Sequence, residues 1–77
     1  MNATVYLEDH EYIALCDLLK LAGLAESGGQ AKAFIAEGLV LRNGETETRK
    51  TAKIRGGEVV EFDGVVLEVV DGYDPEA

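Results

Sequence analysis

The spacing of the apolar residues changes at Gly38, from the period of a helix to the period of a strand. Before Gly38 these residues recur three and four positions apart, and after it they alternate or form short runs. The first spacing lines one face of a helix, and the second is typical of strands. The order therefore predicts an α+β fold, with an N-terminal pair of helices packed on a small, mostly antiparallel sheet of three to five strands.

Two helices are predicted in the first half of the chain. The first should carry Glu11 in its first turn and Lys20 in its last, and should end at Gly23. Ser27 should cap the second helix, with the side chain of Gln30 reaching back in a capping box. The apolar stripe of the first helix, over residues 11–22, consists of Leu15, Leu18, Leu19 and Ala22, and that of the second of Ala31, Phe34 and Ile35.

The second half of the chain is typical of short strands joined by tight turns. Asn43-Gly44 and Asp63-Gly64 are residue pairs that favour two-residue hairpins. In residues 51–55, alternation directs Lys53 and Arg55 outward and the residues between them inward. Residues 5–7 form either a short edge strand or a segment packed on the core. The predicted strands cover residues 39–42, 45–48, 51–55, 58–62 and 65–70.

All of these elements must share one hydrophobic core because the chain is short. Its 77 residues, 47% of them apolar, predict a single domain over residues 1–70. Residues 71–77 contain glycine, proline and three carboxylates, and are predicted to form a flexible acidic tail. The N-terminus does not resemble a signal peptide, and no apolar run approaches the ~20 residues of a membrane span. The protein is therefore predicted to be cytoplasmic, monomeric and without a membrane partner.

Residues with catalytic or metal-binding chemistry are few. The single histidine, His10, stands between two carboxylates at the start of the first predicted helix, where an exposed imidazole is expected. The single cysteine, Cys16, has apolar neighbours on that helix and no assignable base, which is typical of a core residue. The carboxylates are scattered and lack the spacing of a calcium loop. The sequence predicts no catalytic residue, no metal site and no cofactor.

The cations are concentrated in the middle of an acidic chain. All seven Lys and Arg residues lie within residues 20–55, which carry a net charge of +3, although the whole chain carries −8. Four of them, Arg49, Lys50, Lys53 and Arg55, fall within seven positions, and Arg42 stands in the neighbouring hairpin. Such a group can bind a phosphate backbone. It can equally be a solvated edge that resists aggregation, so charge alone leaves both roles open.

One spaced pattern runs through most of the chain. It comprises Leu18-Leu19, Gly23, Ser27, Ala31, Phe34-Ile35, Gly38, Val40-Leu41-Arg42-Asn43-Gly44, Arg49-Lys50 and Gly57-Glu58-Val59. This pattern resembles the alpha-L RNA-binding motif, the domain of the fourth protein of the small ribosomal subunit. The same domain occurs in pseudouridine synthases, tyrosyl-tRNA synthetases and heat-shock ribosome-binding proteins. Residues 15–21, 30–32 and 47–50 look like the small YbcJ-like bacterial proteins, in which this domain is nearly the entire chain.

The resemblance implies a non-catalytic protein that binds structured RNA, ribosomal or transfer RNA, through the second helix and the basic hairpin. Carried over position by position, the implied RNA-binding residues are Ser27, Lys32, Arg42, Asn43, Arg49, Lys50, Lys53 and Arg55. Many members have arginine directly after the serine, where this chain has Gly28. No aromatic residue lies within the basic stretch, which favours recognition of RNA shape and phosphates over base stacking. The alternative is an acidic protein-interaction adaptor without direct RNA contact.

Overall fold

A mixed sheet and two helices form the fold, in a computed structural model that describes residues 1–76. The elements are β1 Asn2–Tyr6, β2 Ile13–Ala14, α1 Leu15–Leu21, α2 Gly28–Ala36, β3 Leu41–Arg42, β4 Glu45–Thr46, β5 Lys53–Ile54, β6 Val59–Phe62 and β7 Val65–Val70. Five strands form one sheet in the order β1-β7-β6-β3-β4, with β1 parallel to β7 and the other neighbours antiparallel. Strands β2 and β5 form a separate antiparallel pair. The helices share one core with the sheet, which confirms the predicted α+β class.

Helix α1 begins later than the sequence pattern predicts. Ile13 and Ala14 form strand β2, and the helix starts at Leu15. The reason is that β2 pairs with β5, a long-range contact that local periodicity does not reveal. The prediction that Glu11 lies in the first turn is therefore wrong, and Asp17 occupies that turn instead.

The end of α1 lies where the sequence predicts it. Gly23 has a φ of +77°, a left-handed conformation that glycine adopts without strain. Its N–H donates to the carbonyl oxygen of Lys20 at 3.1 Å, and the N–H of Leu24 donates to that of Leu19 at 3.0 Å. These two bonds satisfy carbonyl groups that the helix end would otherwise leave unpaired.

The start of α2 is capped by Ser27, as predicted. Its Oγ accepts a hydrogen bond from the backbone N–H of Gln30 at 3.1 Å. The Gln30 side chain also reaches back, but its Oε1 accepts from the N–H of Glu26 at 2.6 Å rather than from that of Ser27. Ala31 and Ile35 lie on the buried face of the helix, which packs on the core.

Both predicted hairpin turns are present. φ is +51° at Asn43 and +84° at Gly44, and it is +50° at Asp63 and +78° at Gly64. Two consecutive left-handed residues match the twist of the flanking strands. Strands β3 and β4 contain two residues each, instead of the four predicted, and β4 is an exposed edge of the sheet.

The core lies between the helices and the sheet. Ala52 and Ile54 are buried and Lys53 and Arg55 are exposed, which confirms the predicted alternation. Cys16 is buried, as expected for a core residue. The largest fully buried side chains are Leu15, Leu18, Leu19, Ile35, Val40, Ile54, Val60, Leu67 and Val69.

The segment that follows β1 meets the segment that follows β7. Strand β1 is an edge of the sheet, and Leu7 directly after it is buried. Gly72 forms a bridge with Glu8, and the hydroxyl of Tyr73 donates to the carboxylate of Asp9. Residue 77 of the predicted tail lies outside the described residues. In residues 1–76, no helix has the length and apolar content to cross a membrane, and no three His, Cys, Asp or Glu residues are grouped to hold a metal ion.

Candidate nucleic-acid interface

The basic segment, defined as residues 49–55, is anchored to the start of helix α1. Ala14 precedes the helix and offers no side-chain cap. The N–H groups of Leu15 and Cys16 instead donate to the carbonyl oxygens of Ala52 and Lys50, at 2.9 and 3.1 Å. A helix start leaves its first N–H groups without helical partners. These two bonds supply partners for N–H groups of α1 and also hold the basic segment in place. The backbone of the segment is thereby held against the core while its cations remain at the surface.

An open groove of about 450 Å³ runs beside the basic segment. It is lined by Arg42, Arg49, Thr51, Ala52, Lys53 and Arg55. No acidic residue occurs between positions 48 and 57 of the sequence. The fold therefore brings four of the eight predicted RNA-binding residues to one concave surface.

One of these four, Arg42, is held by two carboxylates. Its Nε donates to Glu58 Oε1 at 2.7 Å, and a terminal nitrogen donates to Glu58 Oε2 at 3.2 Å. The other terminal nitrogen donates to Glu47 Oε1 at 3.1 Å. A further bond reaches the carbonyl oxygen of Lys53 at 2.9 Å. The Arg42 side chain is 22% exposed and its donors face intramolecular partners, so it links the hairpin to the basic segment.

Asn43 belongs to the same arrangement, which we call the Arg42 cluster (Arg42, Asn43, Glu47 and Glu58). Its Nδ2 donates to Glu58 Oε1 at 3.1 Å, and its Oδ1 accepts from the N–H of Val59 at 2.9 Å. Glu58 also accepts from the N–H of Arg55 at 2.6 Å. The β3–β4 hairpin is therefore fastened to the turn that follows β5.

Neighbouring arginines lower the pKa of both carboxylates of the Arg42 cluster. The pKa of Glu47 falls to about 2, chiefly because its carboxylate accepts hydrogen bonds from the Arg49 side chain. The pKa of Glu58 is lowered mainly by its hydrogen bonds with Arg42, and the pKa of Arg42 is raised mainly by the same contact. Both carboxylates are thus ionised at neutral pH, and Arg42 remains charged beside them.

Arg49 is shared between Glu47 and solvent. Its Nε and one terminal nitrogen donate to the two oxygens of Glu47 at 3.3 and 3.2 Å. Its side chain is nevertheless 75% exposed, compared with 22% for Arg42. Because the Arg49 guanidinium is open to solvent and Glu47 also accepts a hydrogen bond from Arg42, Arg49 can exchange its carboxylate for a phosphate.

An aromatic ring lies within the basic surface, contrary to the expectation from sequence. The Nζ of Lys53 lies over the ring of Tyr12 at 5.1 Å from its centroid, and the Cζ of Arg55 lies over it at 5.6 Å. Tyr12 directly precedes β2, whose pairing with β5 brings a distant residue beside these two cations. The sequence offers no signal for this, because the pairing partner of a two-residue strand cannot be inferred from local pattern.

The remaining predicted residues lie outside the groove. Lys50 is exposed within the basic segment, and Ser27 and Lys32 are exposed at the start of α2. In the described part of the chain, no hydrogen bond or ion pair joins Ser27 or Lys32 to the Arg42 cluster. Next to Ser27, a Cβ atom added at Gly28 would meet no atom within 4 Å apart from those of its chain neighbours and of the helix backbone. The structure therefore unites the hairpin and the basic segment, and leaves the start of α2 as a separate exposed element.

The family model described as the S4 domain matches residues 5–70 of the chain. A protein of Escherichia coli strain K12 named "Putative RNA-binding protein YbcJ" is 53% identical over 68 residues, which is 88% of this chain and 97% of the relative. A protein of Bacillus subtilis strain 168 named "Probable ribosome maturation protein RlbA" is 46% identical over 56 residues, 73% of this chain and 79% of the relative.

A solved structure also resembles this fold. The solution structure of E. coli YbcJ matches with a TM-score of 0.69 and 53% sequence identity, over 88% of this chain and 86% of that one. It is described as revealing an alpha-L motif involved in RNA binding.

Proposed function

This chain belongs to the S4 domain family, and from that premise we propose that it is a non-catalytic protein that binds structured RNA. The basic segment and the exposed start of α2 form the RNA-binding surface. Arg49, Lys50, Lys53 and Arg55 contact phosphates, and Ser27 and Lys32 extend the surface along the helix. The description of E. coli YbcJ and of its solution structure as RNA-binding supports this function, and neither those names nor that of the B. subtilis relative describes an enzyme.

The observation that carries the proposal is the anchoring of the basic segment on α1. A flexible run of four cations would lose conformational entropy on binding, which weakens the complex. Here the backbone bonds from Leu15 and Cys16 fix the segment before any ligand arrives. Its side chains project from a preorganised strip, a geometry suited to consecutive phosphates of a rigid RNA helix.

Arg42 and Asn43 have a different role in this proposal. Their side chains are already bonded to Glu58, whose carboxylate also binds the backbone of Arg55. Removing Arg42 from that site would leave two carboxylates facing the phosphates. We therefore assign these two residues to positioning the basic segment rather than to contacting RNA.

Ribosomal or transfer RNA is the proposed ligand, bound in the cytoplasm by a single copy of the chain. The name of the B. subtilis relative, which refers to ribosome maturation, favours ribosomal RNA. Helical RNA hides its base edges in a deep and narrow major groove, so a small cationic surface recognises backbone shape and 2′-hydroxyls. The acidic remainder of the chain would repel RNA in other orientations and restrict docking to this surface.

The proposal is tested by replacing Arg49, Lys50, Lys53 and Arg55 with glutamine. Filter binding to purified ribosomal RNA and to bulk tRNA should show affinity weakened about 100-fold or more, because phosphate contacts dominate such binding. Lys20→Gln is the control, since Lys20 lies in the last turn of α1, outside the basic segment. Circular dichroism verifies that each variant is folded. Unchanged affinity in the folded quadruple variant would refute RNA binding by this surface and favour a protein-interaction adaptor.

A further inference from the structure

The ring of Tyr12 stands on the same side of the β2–β5 pair as the two cations that contact it. Ala14 pairs with Lys53 and Ile13 with Ile54. Continuing that antiparallel register by one residue sets Tyr12 opposite Arg55, and cross-strand partners project to the same side of a sheet. Lys53 then lies diagonally across from the ring, within reach of a long side chain. The arrangement follows from register and does not depend on one flexible rotamer.

Tyr12 does not serve as a core residue. Tyr12 is 40% exposed, whereas Ile54, the buried residue between the two cations, is fully covered. In residues 1–76, no hydrogen bond involves the Tyr12 hydroxyl, and the ring makes cation–π contacts with Lys53 and Arg55. Attraction between a cation and a ring face is modest at an exposed site, so either cation can leave the ring when a phosphate approaches.

We propose that Tyr12, Lys53 and Arg55 form a binding site for one unpaired nucleotide of the RNA, an inference that rests on the proposed function. The base stacks on the Tyr12 ring, and the two cations neutralise the phosphates on either side of it. Stacking is tolerant of base identity because every base has a π-face. The site therefore recognises an irregularity in an RNA helix, a bulge or a helix end, rather than a sequence.

An exposed aromatic ring adds little affinity for a fully paired RNA helix. Within a duplex the faces of each base are covered by its neighbours, and the A-form major groove admits no side chain. Cations alone would bind a paired and an interrupted helix about equally. Tyr12 thus adds a preference for the interrupted helix, which the basic segment cannot supply by itself.

The test uses three synthetic RNA hairpins with the same stem. One stem is fully paired, the second has a one-nucleotide bulge carrying 2-aminopurine, and the third has an abasic nucleotide at the bulge. The wild-type protein should bind the 2-aminopurine hairpin roughly 5- to 150-fold more tightly than the abasic one, the range by which alanine substitution of a stacking aromatic residue weakens binding. Stacking on tyrosine should also quench the 2-aminopurine fluorescence. Equal affinities for these two hairpins would overturn the inference without requiring any variant.

Substitutions at Tyr12 test whether its ring causes the preference for the 2-aminopurine hairpin. Tyr12→Phe retains the ring and should keep both the preference and the quenching. Tyr12→Leu removes the ring, so it should bind the 2-aminopurine hairpin and the abasic hairpin with equal affinity and should not quench the fluorescence. Preference retained by a folded Tyr12→Leu protein would refute the role of Tyr12. If the wild-type protein binds none of the hairpins, the proposed function fails, and this site fails with it.

Discussion

The guanidinium of Arg42 forms a bidentate ion pair with the carboxylate of Glu58, with Nε to Oε1 at 2.7 Å and a terminal nitrogen to Oε2 at 3.2 Å. Arg42 lies in β3 and Glu58 in the turn before β6, so the pair joins two segments that are 16 residues apart. Arg42, which the sequence places beside the hairpin turn, is therefore ion-paired within the fold. The four cations of the basic segment are exposed.

We expect Glu58→Gln to destabilise the protein by about 1–3 kcal/mol, the usual cost of losing hydrogen bonds to a charged group. The neutral amide cannot balance Arg42 and cannot accept all of the bonds that Glu58 accepts from Arg42, Asn43 and the Arg55 backbone. Urea unfolding followed by circular dichroism measures the change. Glu68→Gln is the control, because Glu68 is exposed on β7 and should change stability by less than about 0.5 kcal/mol. Equal effects of the two substitutions would contradict the role of the ion pair.

Acid should destabilise the protein through the same carboxylates. The pKa of Glu47 is lowered to about 2 from an ordinary value of 4.5, and that of Glu58 is also lowered. The unfolded chain therefore binds protons that the folded protein does not, and stability falls as the pH drops from about 4.5 towards 2. Above that window, the contribution of both groups is fully present.

The measurement is urea unfolding at a series of pH values between neutrality and the acid limit. Glu47→Gln removes one titrating group, so its unfolding free energy should depend less steeply on pH below about 4.5. The variant should be less stable than the wild type at pH 7, and the difference should shrink in acid. Parallel pH profiles for the two proteins would show that Glu47 does not titrate as proposed.

Local chemistry made part of this fold predictable from sequence. The Ser27 cap, the Gly23 helix end and the Asn43-Gly44 turn depend on residues within a few positions, and each lies where the pattern places it. The pairing of β2 with β5 could not be predicted, since two-residue strands carry almost no periodicity. The Arg42–Glu58 pair and the position of Tyr12 follow from that same kind of long-range contact. The residue types of the candidate site could thus be predicted from the sequence. Which cations are ion-paired within the fold and which are exposed could not.

Gly28→Arg should strengthen RNA binding several-fold. A Cβ atom at this position meets open space, so the longer side chain should fit without displacing its neighbours. One added phosphate contact should steepen the log–log dependence of affinity on salt by about 0.7–0.9. Gly28→Gln is the matched control, because it adds a side chain and helix propensity without charge. If the glutamine variant gains as much affinity as the arginine variant, the gain does not come from phosphate binding.

The number of exposed cations in the basic segment predicts the salt dependence of the wild-type protein. Four phosphate contacts, from Arg49, Lys50, Lys53 and Arg55, should give a log–log slope of about −3 to −4 in a salt titration with ribosomal RNA. Lys50→Gln should reduce the magnitude of that slope by about 0.7–0.9, because its exposed ammonium has no ion-pair partner among the described residues. Lys20→Gln should leave the slope unchanged. A slope that responds equally to both substitutions would mean that the whole chain's charge, rather than the anchored basic segment, governs RNA binding.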